Sequence, residues 1–142
     1  MSKKLALNGN TLRSGDPTLK LDLPWTAHPS IIITATSPGD LKWIYLALPL
    51  HNDDKISGVT IYYQNSGKLS FISQTRIVLQ TTPDVAHVVH DDPTDLHSTA
   101  PASYTSAVGG IVVKGSAVLE LRLLFKNTTD WIKIGAIEIK YN

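Results

Sequence analysis

Between Asp84 and His97 the chain gathers Asp84, His87, His90, Asp91, Asp92, Asp95 and His97. Imidazoles and carboxylates together bind Zn²⁺ and similar ions, and the oxygens of Asp91, Asp92 and Asp95 suit Ca²⁺. His87, His90, Asp91, Asp92, Asp95 and His97 are therefore the candidate ligands for a divalent metal, the one cofactor these residue types suggest. Their spacing lacks the alternating carboxylates and fixed glycine of an EF-hand loop. The plainer use of the same aspartates is to cap turns before Pro93 and Thr94 by accepting backbone N–H groups.

A second polar run, His51-Asn52-Asp53-Asp54, has a similar composition. Both runs follow an apolar stretch, so they could meet at one end of a folded domain. A shared pocket of carboxylates and imidazoles would suffice for acid–base chemistry. Aromatic side chains give the third candidate. Trp25 and His28 lie between prolines in an expected loop, and Tyr104 lies in an irregular segment. Exposed rings there could stack on a cyclic ligand. The ligand-binding candidates are thus Trp25, His28, His51, Asp53, Asp54 and Tyr104. Trp43 and Tyr141 fall on expected core faces, and of the neighbours Tyr62 and Tyr63 one must face outward. No Gly-x-Ser-x-Gly elbow, His-Glu-x-x-His helix or glycine-rich phosphate loop is present.

Composition narrows the partners. Thirteen Lys and Arg against twelve Asp and Glu leave a formal charge of +1 over 142 residues. No overall field steers the chain to nucleic acid or an anionic membrane. Cysteine is absent, which excludes disulfides and thiolate chemistry. Charged residues make up only 18%, and Ser and Thr supply much of the polar surface, which suits neutral polar ligands such as glycans. The first residues contain no apolar run of signal-peptide length, and none of membrane-spanning length follows. A soluble chain is expected, cytoplasmic by default.

The elements that must position these groups are strands. Leu19, Leu21 and Leu23 alternate with Lys20 and Asp22, and Ile31 to Thr36 is a β-branched run. Leu41 to Leu48 is apolar on both faces, which predicts a strand covered on both sides or lying in a subunit contact. Asn65-Ser66-Gly67-Lys68 reads as a hairpin turn. After it, Leu69, Phe71, Ile77 and Leu79 share one parity. Thr81 to Ser106 is expected to be largely irregular, with a short strand at residues 86–90. Leu119, Leu121, Leu123 and Phe125 mark the clearest strand. Ile132 and Ile134 differ in parity from Ile137, Ile139 and Tyr141, which predicts a β-bulge at Gly135-Ala136.

Eight to ten strands without a helical period predict one domain over residues 1–142. The expected fold is an all-β, antiparallel two-sheet β-sandwich of jelly-roll type, with an immunoglobulin-like sandwich as runner-up. The functional expectation is a non-catalytic binding or assembly module, lectin-like or a self-associating structural subunit. The alternative is a small enzyme, a hydrolase, lyase or cyclase, working through the Asp and His groups.

Overall fold

The computed structural model describes residues 2–23 and 29–142. Eleven strands are present among them: β1 (Lys3–Asn8), β2 (Arg13–Ser14), β3 (Leu19–Asp22), β4 (Ile31–Ala35), β5 (Gly39–Leu48), β6 (Lys55–Asn65), β7 (Phe71–Gln80), β8 (Ala86–Asp92), β9 (Ala102–Val112), β10 (Ser116–Phe125) and β11 (Ile132–Tyr141). A single 3₁₀ turn at Gly9–Thr11 is the helical element among the described residues.

The strands form two antiparallel sheets, giving the jelly-roll-like sandwich that the alternation predicts. The first has the order β3-β4-β11-β6-β9, with β1 also paired to β11; the second has the order β2-β5-β10-β7-β8. One side of β11 is shared, by β4 at Ile132–Ile134 and by β1 at Ala136–Tyr141. Inward side chains meet in one core. Leu119, Leu121, Leu123 and Phe125 of β10 are buried opposite Ile132, Ile134, Ile137 and Ile139 of β11, Ile56 and Ile61 of β6, and Ile31 and Ile33 of β4. Each such side chain contributes about 1.5–3 kcal/mol by leaving water.

The bulge at Gly135-Ala136 is present. Ile134 pairs with Tyr63 and Ile137 with Ile61, so two residues of β11 oppose Tyr62 alone. Four of the five apolar side chains are thereby buried, whereas Tyr141 is only half-buried, beside Lys3. Gly135 does not use the left-handed region; Gly110, at φ +77°, does. That glycine sits where β9 carries extra residues between its pairings with Ile56 and Gly58 of β6.

Four expectations are corrected. Asn65–Lys68 does not close a hairpin, because β6 and β7 belong to different sheets. Leu69 is 60% exposed and Phe71 only half-buried, while Ser70 and Ile72 point inward. The cause is a register shift against β10, where Arg122 pairs with Gln74 but Leu123 with Ile72. Thr81 to Ser106 holds the expected short strand, which runs on to Asp92 as β8, but Ala102 to Ser106 belong to β9, so Tyr104 lies in a strand and not in an irregular segment. Trp43 is not core. It lies on the outer face of β5 with the Arg76 guanidinium, itself paired with Glu120, 4.3 Å from its ring. The middle of this strand's second apolar face is thus covered by the chain itself, while Leu41 at its start is 64% exposed.

Candidate functional site

The residues singled out by type go to separate places. Trp25 and His28 lie outside the described residues. His51 projects a side chain that is 94% exposed, and its backbone N–H donates to Asp54 Oδ2 at 2.8 Å. Asp53 adopts φ +76°, and its N–H donates to the Val113 carbonyl, while the Val113 N–H donates to that of Asp54. The Asn52 side-chain oxygen accepts from Gly115 N–H at 2.8 Å, and Asp53 pairs with Lys114. This loop therefore braces the turn before β10; its hydrogen bonds do not go to the His90–Asp92 segment.

The metal candidates also disperse. His87 is exposed. Asp91 accepts from Gln74 on the outer face of the second sheet. His97 lies against the Phe71 ring at 4.1 Å, with Asp95 3.7 Å from its Nε2. Among the described residues no three His, Asp or Glu side chains converge as a cation would require.

Asp92, Tyr104, Ser106 and His90 do converge, but as a clasp. β8 and β9 are edge strands of opposite sheets, and this cluster joins them where the sandwich would gape. Asp92 Oδ2 accepts from Tyr104 Oη and Ser106 Oγ, both at 2.6 Å. Its Oδ1 accepts from Thr94 N–H at 3.0 Å and from Thr94 Oγ1 at 2.7 Å. A carboxylate has about four acceptor positions, so the chain itself fills Asp92. Burial pushes the Asp92 carboxyl up, yet the bonds from Ser106, Tyr104 and Thr94 outweigh it and hold the pKa at about 2. Ser106 has one proton and gives it to Asp92, which makes His90 Nε2–H the donor in their 2.7 Å contact.

The described surface has hollows on both sheets. One of about 570 Å³ lies against β2, β5 and β10, bordered by Arg13, Tyr45, Ala47 and Val118, and two that adjoin each other lie on the outer face of the first sheet. Alternation turns Tyr63 into the core and leaves Tyr62 outward, 40% exposed. A hollow of about 440 Å³ lies on one side of it, bordered by Ser30, Gln64, Pro101, Ser103 and Lys133. A second of about 300 Å³ is bordered by Lys4, Ser57, Thr60, Thr105, Glu138 and Lys140. The rib between them is the Tyr62–Glu138 pair, in which the phenol donates to Glu138 Oε1 at 2.6 Å. That acceptor raises the Tyr62 hydroxyl above the usual tyrosine range, so it stays a donor. Two glycines keep the floor low. A Cβ on Gly135 would come no nearer than 3.9 Å to Tyr62 O, and one on Gly58 no nearer than 3.7 Å to Lys140 Cβ.

The resulting groove crosses β6, β9 and β11 and offers a flat ring flanked by hydroxyls, an amide, one carboxylate and ammonium groups. Such a surface hydrogen-bonds and stacks. Of its residues, only the Tyr62/Tyr63 pair stands out in the sequence. Parity along β6 identifies which of the two is outward, but spacing alone carries no signal for Glu138, Ser103 or Lys133.

Comparison with known proteins adds the fold. No protein-family model matches the chain, and no curated protein matches it in sequence. Among solved structures it is similar to the carbohydrate-binding module CBM36 in complex with calcium and xylotriose, with TM-score 0.56, 11% identity and coverage of 95% of this chain and 98% of that one. It is similar to a mutant of the family 29 carbohydrate-binding module CBM29-2 complexed with mannohexaose, with TM-score 0.60, 12% identity and coverage of 99% and 92%. It is also similar to CBM86, a low-affinity xylan-binding module from Roseburia intestinalis, with TM-score 0.59, 12% identity and coverage of 99% and 96%. At this identity the likeness establishes a shared β-sandwich fold.

Proposed function

We propose that this chain is a non-catalytic module that binds a polysaccharide along the groove on the outer face of the first sheet. The observation that carries the reading is the pair of adjoining hollows with Tyr62 exposed between them. A sugar ring has an apolar face that stacks on a phenol and an equatorial rim of hydroxyls that meets Gln64, Ser103, Thr60 and Glu138. An open groove accepts the interior of a chain as readily as its end. Three structures of the same fold bind, by their descriptions, xylotriose, mannohexaose and xylan, which supports a β-1,4-linked backbone as the first ligand to try.

The enzymatic alternative rests on Asp and His groups at a loop end. Asp92, the carboxylate that does gain neighbours, has its lone pairs occupied by Thr94, Tyr104 and Ser106. The assembly alternative rests on the outer face of β5, where Arg76 lies over Trp43 and Leu41 is exposed.

Isothermal titration with xylohexaose and mannohexaose tests the proposal. Binding to at least one is expected, weakened about tenfold by Tyr62→Ala with an unchanged thermal midpoint. Binding that ignores Tyr62→Ala, or no binding to either, contradicts it.

A further inference from the structure

The second hollow sets two ammoniums, Lys4 and Lys140, against one carboxylate, Glu138, and so carries an excess of positive charge. Lys4 of β1 and Lys140 of β11 are directly opposite each other in the antiparallel ladder, and both are exposed. Directly opposed like charges destabilise a sheet, because their Cβ atoms stand only about 4.5–5.5 Å apart. Lys133 adds a third ammonium at the edge of the first hollow. Among the described residues no ion pair engages Lys4, Lys133 or Lys140. Glu138, which borders the same hollow, has one oxygen committed to Tyr62. The molecule as a whole is nearly neutral, so this is a local concentration of positive charge within the groove rather than a general property.

We infer that the Lys4–Lys140 hollow is a subsite for an anionic substituent on the bound glycan, a carboxylate or a sulfate ester. An oxyanion between the two ammoniums accepts from both and removes their repulsion, while neighbouring sugar units lie along Thr60 and Tyr62. The inference rests on the groove reading above and adds its ligand class: an acidic polysaccharide in preference to a neutral one. The competing use of Lys4 is to guard the edge strand β1 against pairing with another chain. That role predicts no preference among glycans.

The test is affinity electrophoresis and titration of the full chain against glucuronoxylan and the same polymer after reduction of its carboxyl groups. A second pair, dextran sulfate and dextran, separates the two anion sources. The acidic member should bind about fivefold tighter, and that preference should shrink between about 50 and about 500 mM salt. In the Lys4→Gln/Lys140→Gln variant the preference should fall towards one, and Lys140→Arg should retain it. A preference confined to the sulfated pair assigns the sulfate ester. Equal affinity within both pairs, with binding still weakened by Tyr62→Ala, overturns the subsite and leaves the groove standing; so does a preference that survives the double substitution. No binding to any of the four, or binding indifferent to Tyr62→Ala, overturns both.

Discussion

Tyr62 and Asp92 show how one hydrogen bond serves opposite ends. The Tyr62 phenol is anchored by Glu138 while the residue stays 40% exposed, so anchoring and stacking can be separated by substitution. Tyr62→Phe should keep most affinity for the hexasaccharides, whereas Tyr62→Ala should lose about tenfold. Asp92 faces its own chain. Its folded pKa of about 2 lies below the ordinary aspartate value of 3.8. A depressed carboxylate contributes stability above the unfolded pKa and loses it as pH falls through the folded one. The clasp should therefore supply about 1–2 kcal/mol at neutral pH, after allowance for its partial exposure, and surrender it between about pH 4 and pH 2. Denaturant unfolding across that range should show a steeper acid loss for the native chain than for Asp92→Asn. Parallel curves would remove Asp92 from the stability account.

At the level of strands, apolar phase is legible where a slip is visible and hidden where it is not. Ile134 and Ile137 differ in parity, and that mismatch locates the bulge of β11. Leu69, Phe71, Ile77 and Leu79 share parity without interruption, so nothing in them reveals that β7 shifts register at Ser73 and turns Ile72 inward instead. Most of β8 is legible at residues 86–90, whereas the start of β9 is hidden by its serine and threonine residues, and only His90, Asp92, Tyr104 and Ser106 are spent joining two sheet edges. Substitution can check these assignments. Ile72→Ala should cost about 2–5 kcal/mol, and Leu69→Ala should stay within about 0.5 kcal/mol. Gly115, at φ +74°, has Gln80 O 2.7 Å from where a Cβ would stand, so Gly115→Ala should destabilise by about 1–3 kcal/mol. Gly135→Ala, at ordinary φ with open space, should be close to neutral. A reversed order within either pair contradicts the register described.

Across the whole molecule the two outer faces differ in what they leave available. The face of the second sheet is covered at its centre, where Arg122 donates to the Asp40 carbonyl, Arg76 covers Trp43 and Gln74 meets Asp91. Its hollow of about 570 Å³ beside Tyr45 and Ala47 has no exposed aromatic ring between two adjoining depressions. The face of the first sheet is hollowed, because Gly58 and Gly135 withhold side chains beside Tyr62. That difference depends on strand order, which brings β1, β6, β9 and β11 together from both ends of the chain. Alternation predicts which way each side chain points but not which strands become neighbours, so the sandwich could be read in advance and the groove could not. It also explains why the conspicuous Asp and His residues disperse: Asp54 and Asp92 brace a loop and an edge, while the groove is built from residues unremarkable in isolation. The most direct measurement is a ¹⁵N-resolved titration of the chain with xylohexaose or mannohexaose. Shifts are expected to concentrate on Thr60, Tyr62, Gln64, Ser103, Thr105, Lys133 and Glu138. Shifts centred on Trp43, Tyr45 and Arg76, or none at saturating sugar, would mean that the groove is not where the glycan binds.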